Sequence, residues 1–196
     1  MQRVRQDAIV AAVNRLLATK GYDAMTVDEV AADAGLAKAS LYKLFPSKED
    51  LAGAAMVGVL DRALAFVDEL RARAEADPAV TPVDQLKAVT RWAMETQLHG
   101  EMPSLPAHNS NLSASLQSND AYMDRLLSLS NRLSIWITEA QTGGQLSAAL
   151  PPELVLYTLF ARACDPVLGV MRASGAHTDA QIVDWLVATC FKGLAP

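Results

Sequence analysis

Between Lys20 and Leu51 the chain places helix stops and starts so close together that only short helices fit between them. Lys20-Gly21 reads as a basic last turn followed by a glycine stop. Thr26-Val27-Asp28-Glu29 then has the form of a capping box, in which a Thr hydroxyl bonds a free backbone N–H and a Glu three residues on reaches back. Gly35 can take the left-handed backbone that a tight inter-helix turn demands, because it has no Cβ to clash. Pro46 forces the residue before it out of helical geometry. Ser47-Lys48-Glu49-Asp50 opens the next helix, with acids where the helix dipole favours them. What remains is a helix carrying Val27, Val30, Ala31 and Ala34, and another from about Ala37 to Leu44. Helices this short are marginal alone, since isolated ones need roughly 12–15 residues. They must be held by neighbours.

The neighbours are also helical. Ile9, Val13, Leu16 and Leu17 recur at helical spacing ahead of Gly21. The segment opening at Ser47 runs without a break to about Ala76, which at 1.5 Å per residue is about 45 Å. Further helices are expected from Val83 to about His99, in a short piece ending at Gln117, and from Asn119 to Thr142, with a loop rich in Pro, Ser and Asn over residues 100–111. Thr142-Gly143-Gly144 breaks the chain, and two strongly apolar helices follow, Pro152 to Ser174 and Thr178 to Lys192. Asp165-Pro166 should kink the first of them. No alternating stretch is long enough for a sheet. The expected class is all-α, with residues 1–46 as one small module and 47–196 as a larger helical domain.

Charge separates these two parts. Residues 1–51 hold seven Lys/Arg and seven Asp/Glu, so the whole net charge of −5 falls on the remainder. Within the neutral part, Leu36 to Lys48 has three lysines and no acid, a local basic footprint in an acidic protein. A hydrophobic content of 51% and a mean hydropathy of +0.14 are high for a monomer and point to a covered partner surface. No stretch reaches the ~18 uninterrupted apolar residues of a membrane span, and Met1 to Asp7 lacks the apolar centre of a signal peptide. The expectation is a cytoplasmic protein without a membrane partner. Cys164 and Cys190 lie apart on apolar segments, as buried thiols do, and the Asn111-Leu112-Ser113 triplet is then a chance match.

A helix-turn-helix needs a small residue where its helices cross, a glycine in the turn, and apolar residues that pin the second helix. Ala31, Gly35, and Leu41 with Leu44 meet those needs. The opposite face of the second helix, with Lys38, Ser40, Tyr42 and Lys43, is then free to enter a major groove about 12 Å wide. Short polar and basic side chains suit that place, because base edges are read by hydrogen bonds and phosphates by charge. Tyr42 can serve both ways, packing its ring while its hydroxyl reaches a phosphate. Thr26 and Lys48 sit at helix starts, where free N–H groups favour a phosphate. Arg3 and Arg5 suit either a frayed terminus or a segment lying along the backbone of DNA.

Thr26 to Ala31, Ala34-Gly35-Leu36, Leu41 to Phe45 and Pro46 to Leu51, with Gly21-Tyr22 before them, resemble the DNA-binding module of TetR-type (tetracycline-repressor-like) transcriptional regulators. The resemblance covers about Asp7 to Leu51. It implies a homodimer on a near-palindromic operator, a greasy or aromatic effector in the C-terminal domain, and repression that the effector releases. The chain departs from the pattern at Ala37, where a serine commonly caps the recognition helix, and at Ala39, commonly glycine, which joins the residues expected to face DNA. The missing cap weakens that helix by about 1 kcal/mol.

The last two helices are apolar on more than one face, as Leu154, Leu159, Val167, Val170, Ile182 and Leu186 indicate. A helix of that kind is covered on two sides, so they are expected to pair with their two-fold mates as a four-helix bundle. Between Val83 and Thr142, Trp92, Glu95, His99, Met102, His108, Asn109, Tyr122 and Trp136 mix aromatic, thioether and polar groups as small-molecule sites do, and Phe160 joins them from the penultimate helix. The same residues also suit an ordinary core. His99 and His108 have no neighbouring cysteine or second acid to complete a metal site, and no cofactor motif is present. Ser40-x-x-Lys43 lacks the companion motifs of serine acyl enzymes, and neither a phosphate-binding glycine loop nor a nucleophile elbow occurs. The sequence therefore reads as a regulator rather than an enzyme, with an all-α small-molecule carrier as the competing reading.

Overall fold

The computed structural model describes residues 2–102 and 111–196. Ten helices fill the described residues, and no strand occurs among them. They are α1 (Gln2–Ala24), α2 (Val27–Asp33), α3 (Lys38–Tyr42), α4 (Lys48–Ala76), α5 (Pro82–Leu98), α6 (Asn111–Gln117), α7 (Asp120–Thr142), α8 (Pro152–Arg162), α9 (Pro166–Ala173) and α10 (Asp179–Leu194). Local chemistry sets most of their ends. Gly21 interrupts α1 with φ 76 and ψ 173, a backbone that favours glycine. The Thr26 hydroxyl accepts from the Glu29 amide at 3.3 Å, and the Glu29 carboxylate accepts from the Thr26 amide at 3.1 Å. Ser47 and Asp50 make the same reciprocal pair at the start of α4, at 3.0 and 3.1 Å.

The expected kink at Asp165-Pro166 is a full break between α8 and α9. Asp165 is buried, caps α9 by accepting from the Val167 amide at 3.0 Å, and takes Arg162 as an ion partner at 2.6 Å. Proline in the first turn lacks an N–H that would be unsatisfied there anyway, so Asp-Pro starts a helix more readily than it bends one. The stretch Pro152–Ala173 is long and apolar enough to cross a membrane by length and composition, but this capped break divides it.

The chain forms two compact units. The first comprises residues 1–61 and 99–126, so the module that carries the short helices extends into α4 and gathers α6 and the start of α7. Its core joins Ile9, Val13 and Leu17 of α1 to Val30 and Ala31 of α2, Leu41 of α3, Leu51 and Ala55 of α4, and Leu112 and Leu116 of α6. The second unit comprises residues 62–98 and 127–196. In it α5 packs against α8, α9 and α10. Arg91 of α5 pairs with Asp184 of α10 at 2.5 Å, and Arg172 of α9 donates to the Leu98 carbonyl at 2.6 Å. The turn after α7 closes onto the end of α10 through the Ser147 amide and the Leu194 carbonyl, 2.9 Å apart.

Candidate nucleic-acid interface

The turn between α2 and α3 is built by Gly35. Its φ of 66° lies in the left-handed region, and an added Cβ would meet nothing within 4 Å, so backbone conformation rather than space selects glycine there. The Leu36 amide bonds back to the Ala31 carbonyl at 2.9 Å, which closes the end of α2 in the six-to-one pattern of a Schellman turn. α3 then begins at Ala37 without a side-chain cap, as the alanine there implies. Its five residues present one buried side chain, Leu41, which is 0% exposed, while Leu44 and Phe45 just beyond are half-buried against the same core.

Everything else on α3 faces outward. Ala37, Lys38, Ala39, Ser40, Tyr42 and Lys43 are all exposed, Tyr42 by 42%. The hydroxyls of Ser40 and Tyr42 and the ammonium of Lys43 have no hydrogen-bond partner among the described residues. Lys38 is different, because both oxygens of Asp28 on α2 engage its Nζ, at 2.8 and 2.9 Å. That bond raises the Lys38 pKa above its ordinary value. Thr26 is exposed, and its hydroxyl is occupied in the capping box, donating to Glu29 at 3.0 Å. Lys48 is half-buried. Its ammonium lies 4.4 Å from the centre of the Tyr22 ring and donates to the Asp23 carbonyl at 3.2 Å. The Tyr22 hydroxyl in turn donates to Glu49 at 2.7 Å, which holds the Glu49 carboxyl below the usual range, while burial and Glu49 push the Tyr22 hydroxyl up. These contacts fasten the end of α1 to the start of α4, a tie that spacing alone does not reveal.

The residues expected to line an effector pocket divide between the units. His99 is exposed and Met102 and Tyr122 are half-buried in the first unit, with Tyr122 packed against the core that holds the turn. Trp92, Glu95, Trp136 and Phe160 lie in the second. There Trp92 stacks on Phe66 with ring centres 5.7 Å apart, Trp136 is buried, Phe160 is half-buried, and exposed Glu95 pairs with Arg91 at 3.9 Å. His108 and Asn109 lie outside the described residues. No group of three His, Cys, Asp or Glu side chains could hold a metal among the described residues. α5 also buries a polar atom that the sequence did not single out, the Gln97 Oε1, which has no partner among the described residues.

A short exposed helix pinned by one leucine and set off from its predecessor by a left-handed glycine is the arrangement of a helix-turn-helix. Residues 9–55 match the family model of bacterial regulatory proteins of the tetR family. An uncharacterized HTH-type transcriptional regulator of Mycobacterium bovis is 45% identical over 53 residues, which are 27% of this chain and 26% of that protein. The match thus spans about a quarter of that relative's length. The fold extends further than the sequence match. A fatty acid degradation regulator FadR from Bacillus halodurans superposes with a TM-score of 0.71 at 20% identity, covering 97% of this chain and 96% of that one. The transcriptional regulator FadR from Bacillus subtilis, solved in complex with stearoyl-CoA, gives 0.68 at 18% identity over 96% and 98% of the two chains. The N-terminal module of the chain is thus similar to that of the tetR family, and its fold is similar to those of these solved regulators.

Proposed function

We propose that the chain is a ligand-responsive transcriptional regulator that binds a near-palindromic duplex as a homodimer and represses until a small apolar or aromatic effector releases it. The observation that carries this reading is the outward face of α3, where Lys38, Ala39, Ser40, Tyr42 and Lys43 are exposed on a helix held by Leu41. Ser40 and Lys38 read base edges, and Ala39 offers a methyl that suits thymine. Tyr42 and Lys43 contact the phosphates, and Thr26 and Lys48 do so from helix starts, where the dipole favours anions. The match over residues 9–55 favours this reading over an all-α carrier without DNA binding. Residues 1–46, with Lys48 just beyond them, supply the DNA contacts, and residues 47–196 supply effector binding and dimerisation.

The two-fold contact runs through α8, α9 and α10. Leu154, Tyr157, Val167, Val170 and Trp185 there are large apolar side chains left exposed, Tyr157 by 66% and Val170 by 70%. Large exposed apolar patches mark interaction sites. The effector is greasy, in keeping with stearoyl-CoA in the Bacillus subtilis relative. Trp92, Trp136 and Phe160 of the second unit furnish the apolar wall, with Glu95 beside Trp92 on α5 as a polar contact. α4 contributes residues to both compact units. An effector that biases this helix changes the separation of the two recognition helices, which must be about 34–36 Å for half-sites one turn apart. No metal or cofactor enters this scheme, and the chain works as a binding protein in the cytoplasm, where its duplex lies.

Selection of bound fragments from a random duplex pool tests the proposal. It expects an enriched near-palindrome whose half-sites lie one helical turn apart, released by long-chain acyl or aromatic compounds. A pool that stays unenriched at low salt refutes it.

A further inference from the structure

Three cations of the first unit are held by acids of α2. Arg15 of α1 pairs with Asp33 at 2.8 Å, Lys20 with Glu29 at 2.5 Å, and Lys38 with Asp28 at 2.8 Å. All three carboxylates belong to α2. Arg15 and Lys20 reach α2 from α1, so their pairs act as clasps between two supporting helices. Lys38 lies on α3, on the face that has no other charge clasp, and its partner Asp28 is the more exposed of the two, at 69% against 50%. Lys43, the residue that caps the end of α3, has no ion-pair partner among the described residues. Of these two lysines one is therefore without an ion partner among the described residues, and the other is already paired.

We infer that Asp28 tunes the affinity of the α3 face for DNA: it keeps Lys38 bound to the protein and so withholds one cation from the phosphates of duplexes of arbitrary sequence. This rests on the reading of α3 as the DNA-facing helix. Non-specific binding comes almost wholly from cations that displace counterions from phosphates. A lysine clasped by both oxygens of a carboxylate gains little by exchanging that carboxylate for a phosphate. Asp28 therefore subtracts one phosphate contact from binding to arbitrary DNA. The consequence is weaker binding to duplexes of arbitrary sequence, with a shallower dependence on salt.

The test uses the full chain and a labelled random-sequence duplex of about two turns, titrated by fluorescence anisotropy over a range of salt. Four proteins are compared: wild type, Asp28→Asn, Asp28→Asn with Lys38→Met, and Asp23→Asn. The last removes the same charge from an exposed acid whose carboxylate clasps no cation among the described residues. Releasing one lysine adds one phosphate contact, which steepens the plot of log affinity against log salt by about 0.9. Asp28→Asn is expected to steepen it by that amount and to tighten binding about threefold, the scale of an exposed ion pair. Asp23→Asn is expected to leave the slope unchanged, and adding Lys38→Met to Asp28→Asn to restore the wild-type slope. Equal slopes for Asp28→Asn and Asp23→Asn, or a steep slope surviving in the double variant, would overturn the inference while leaving DNA binding intact. Absence of salt-dependent binding in all four proteins would overturn the DNA-facing reading and the inference with it.

Discussion

Leu41→Ala separates what holds α3 from what α3 presents. Leu41 is 0% exposed and is the buried side chain of a five-residue helix. It sits in a core shared with Leu17, Val30 and Leu51. Truncating a buried leucine costs its transfer energy plus the cavity it leaves, about 2–5 kcal/mol. α3 also lacks a side-chain cap, so its own hydrogen bonds compensate little, and a loss of about 3 kcal/mol is expected. Ser40→Ala and Lys43→Ala, on the exposed side, should each stay within about 0.5 kcal/mol. Urea unfolding followed by far-UV circular dichroism measures all three. Opposite consequences for duplex binding are expected of the exposed pair, which should weaken it while leaving the midpoint in place. A Leu41→Ala cost below about 1 kcal/mol, or a comparable cost for Ser40→Ala, would refute the claim that one buried leucine carries the helix.

Other perturbations test the remaining supports. Thr26→Ala removes the capping box of α2 and should lower stability by about 1 kcal/mol, read from the thermal midpoint. Lys48→Ala should reduce the salt slope of duplex binding by about 0.9 for every sequence tested, and an unchanged slope would remove Lys48 from the phosphate contacts. Tyr22 donates to Glu49 and holds its carboxyl low. A carboxyl depressed in the folded state stabilises fully above the ordinary glutamate pKa of about 4.3 and loses that contribution as pH falls through the lower folded value. The denaturant midpoint of wild type should therefore fall more between pH 6 and pH 3 than that of Glu49→Gln, and equal falls would remove the Glu49 contribution. Tyr157→Glu with Val170→Glu should convert a dimer to a monomer in sedimentation equilibrium, because a charge buried in an apolar contact is left unpaired.

The turn was legible in the sequence because its signals are local. Thr26 with Glu29, Gly35, Pro46 and Ser47 each act within a few residues, and the helix ends follow them. Asp165-Pro166 was legible as a disruption but not as a cap, since that depends on Asp165 being buried beside Arg162. Pocket residues were the least legible. Helical spacing does not distinguish an aromatic side chain that lines a cavity from one that fills a core, and Tyr122 packs with the first unit's core while Trp136 is buried in the second. The Asp28–Lys38 clasp was also beyond reach. The two residues lie ten positions apart across a turn, and charge counting records only that they cancel.

Backbone hydrogen exchange of the full chain, with and without the duplex enriched by selection, tests the central claim most directly. The account predicts that bound duplex slows exchange over residues 26–48, strongest across α3. Protection confined to residues 127–196, with residues 26–48 unchanged in the complex, would contradict it.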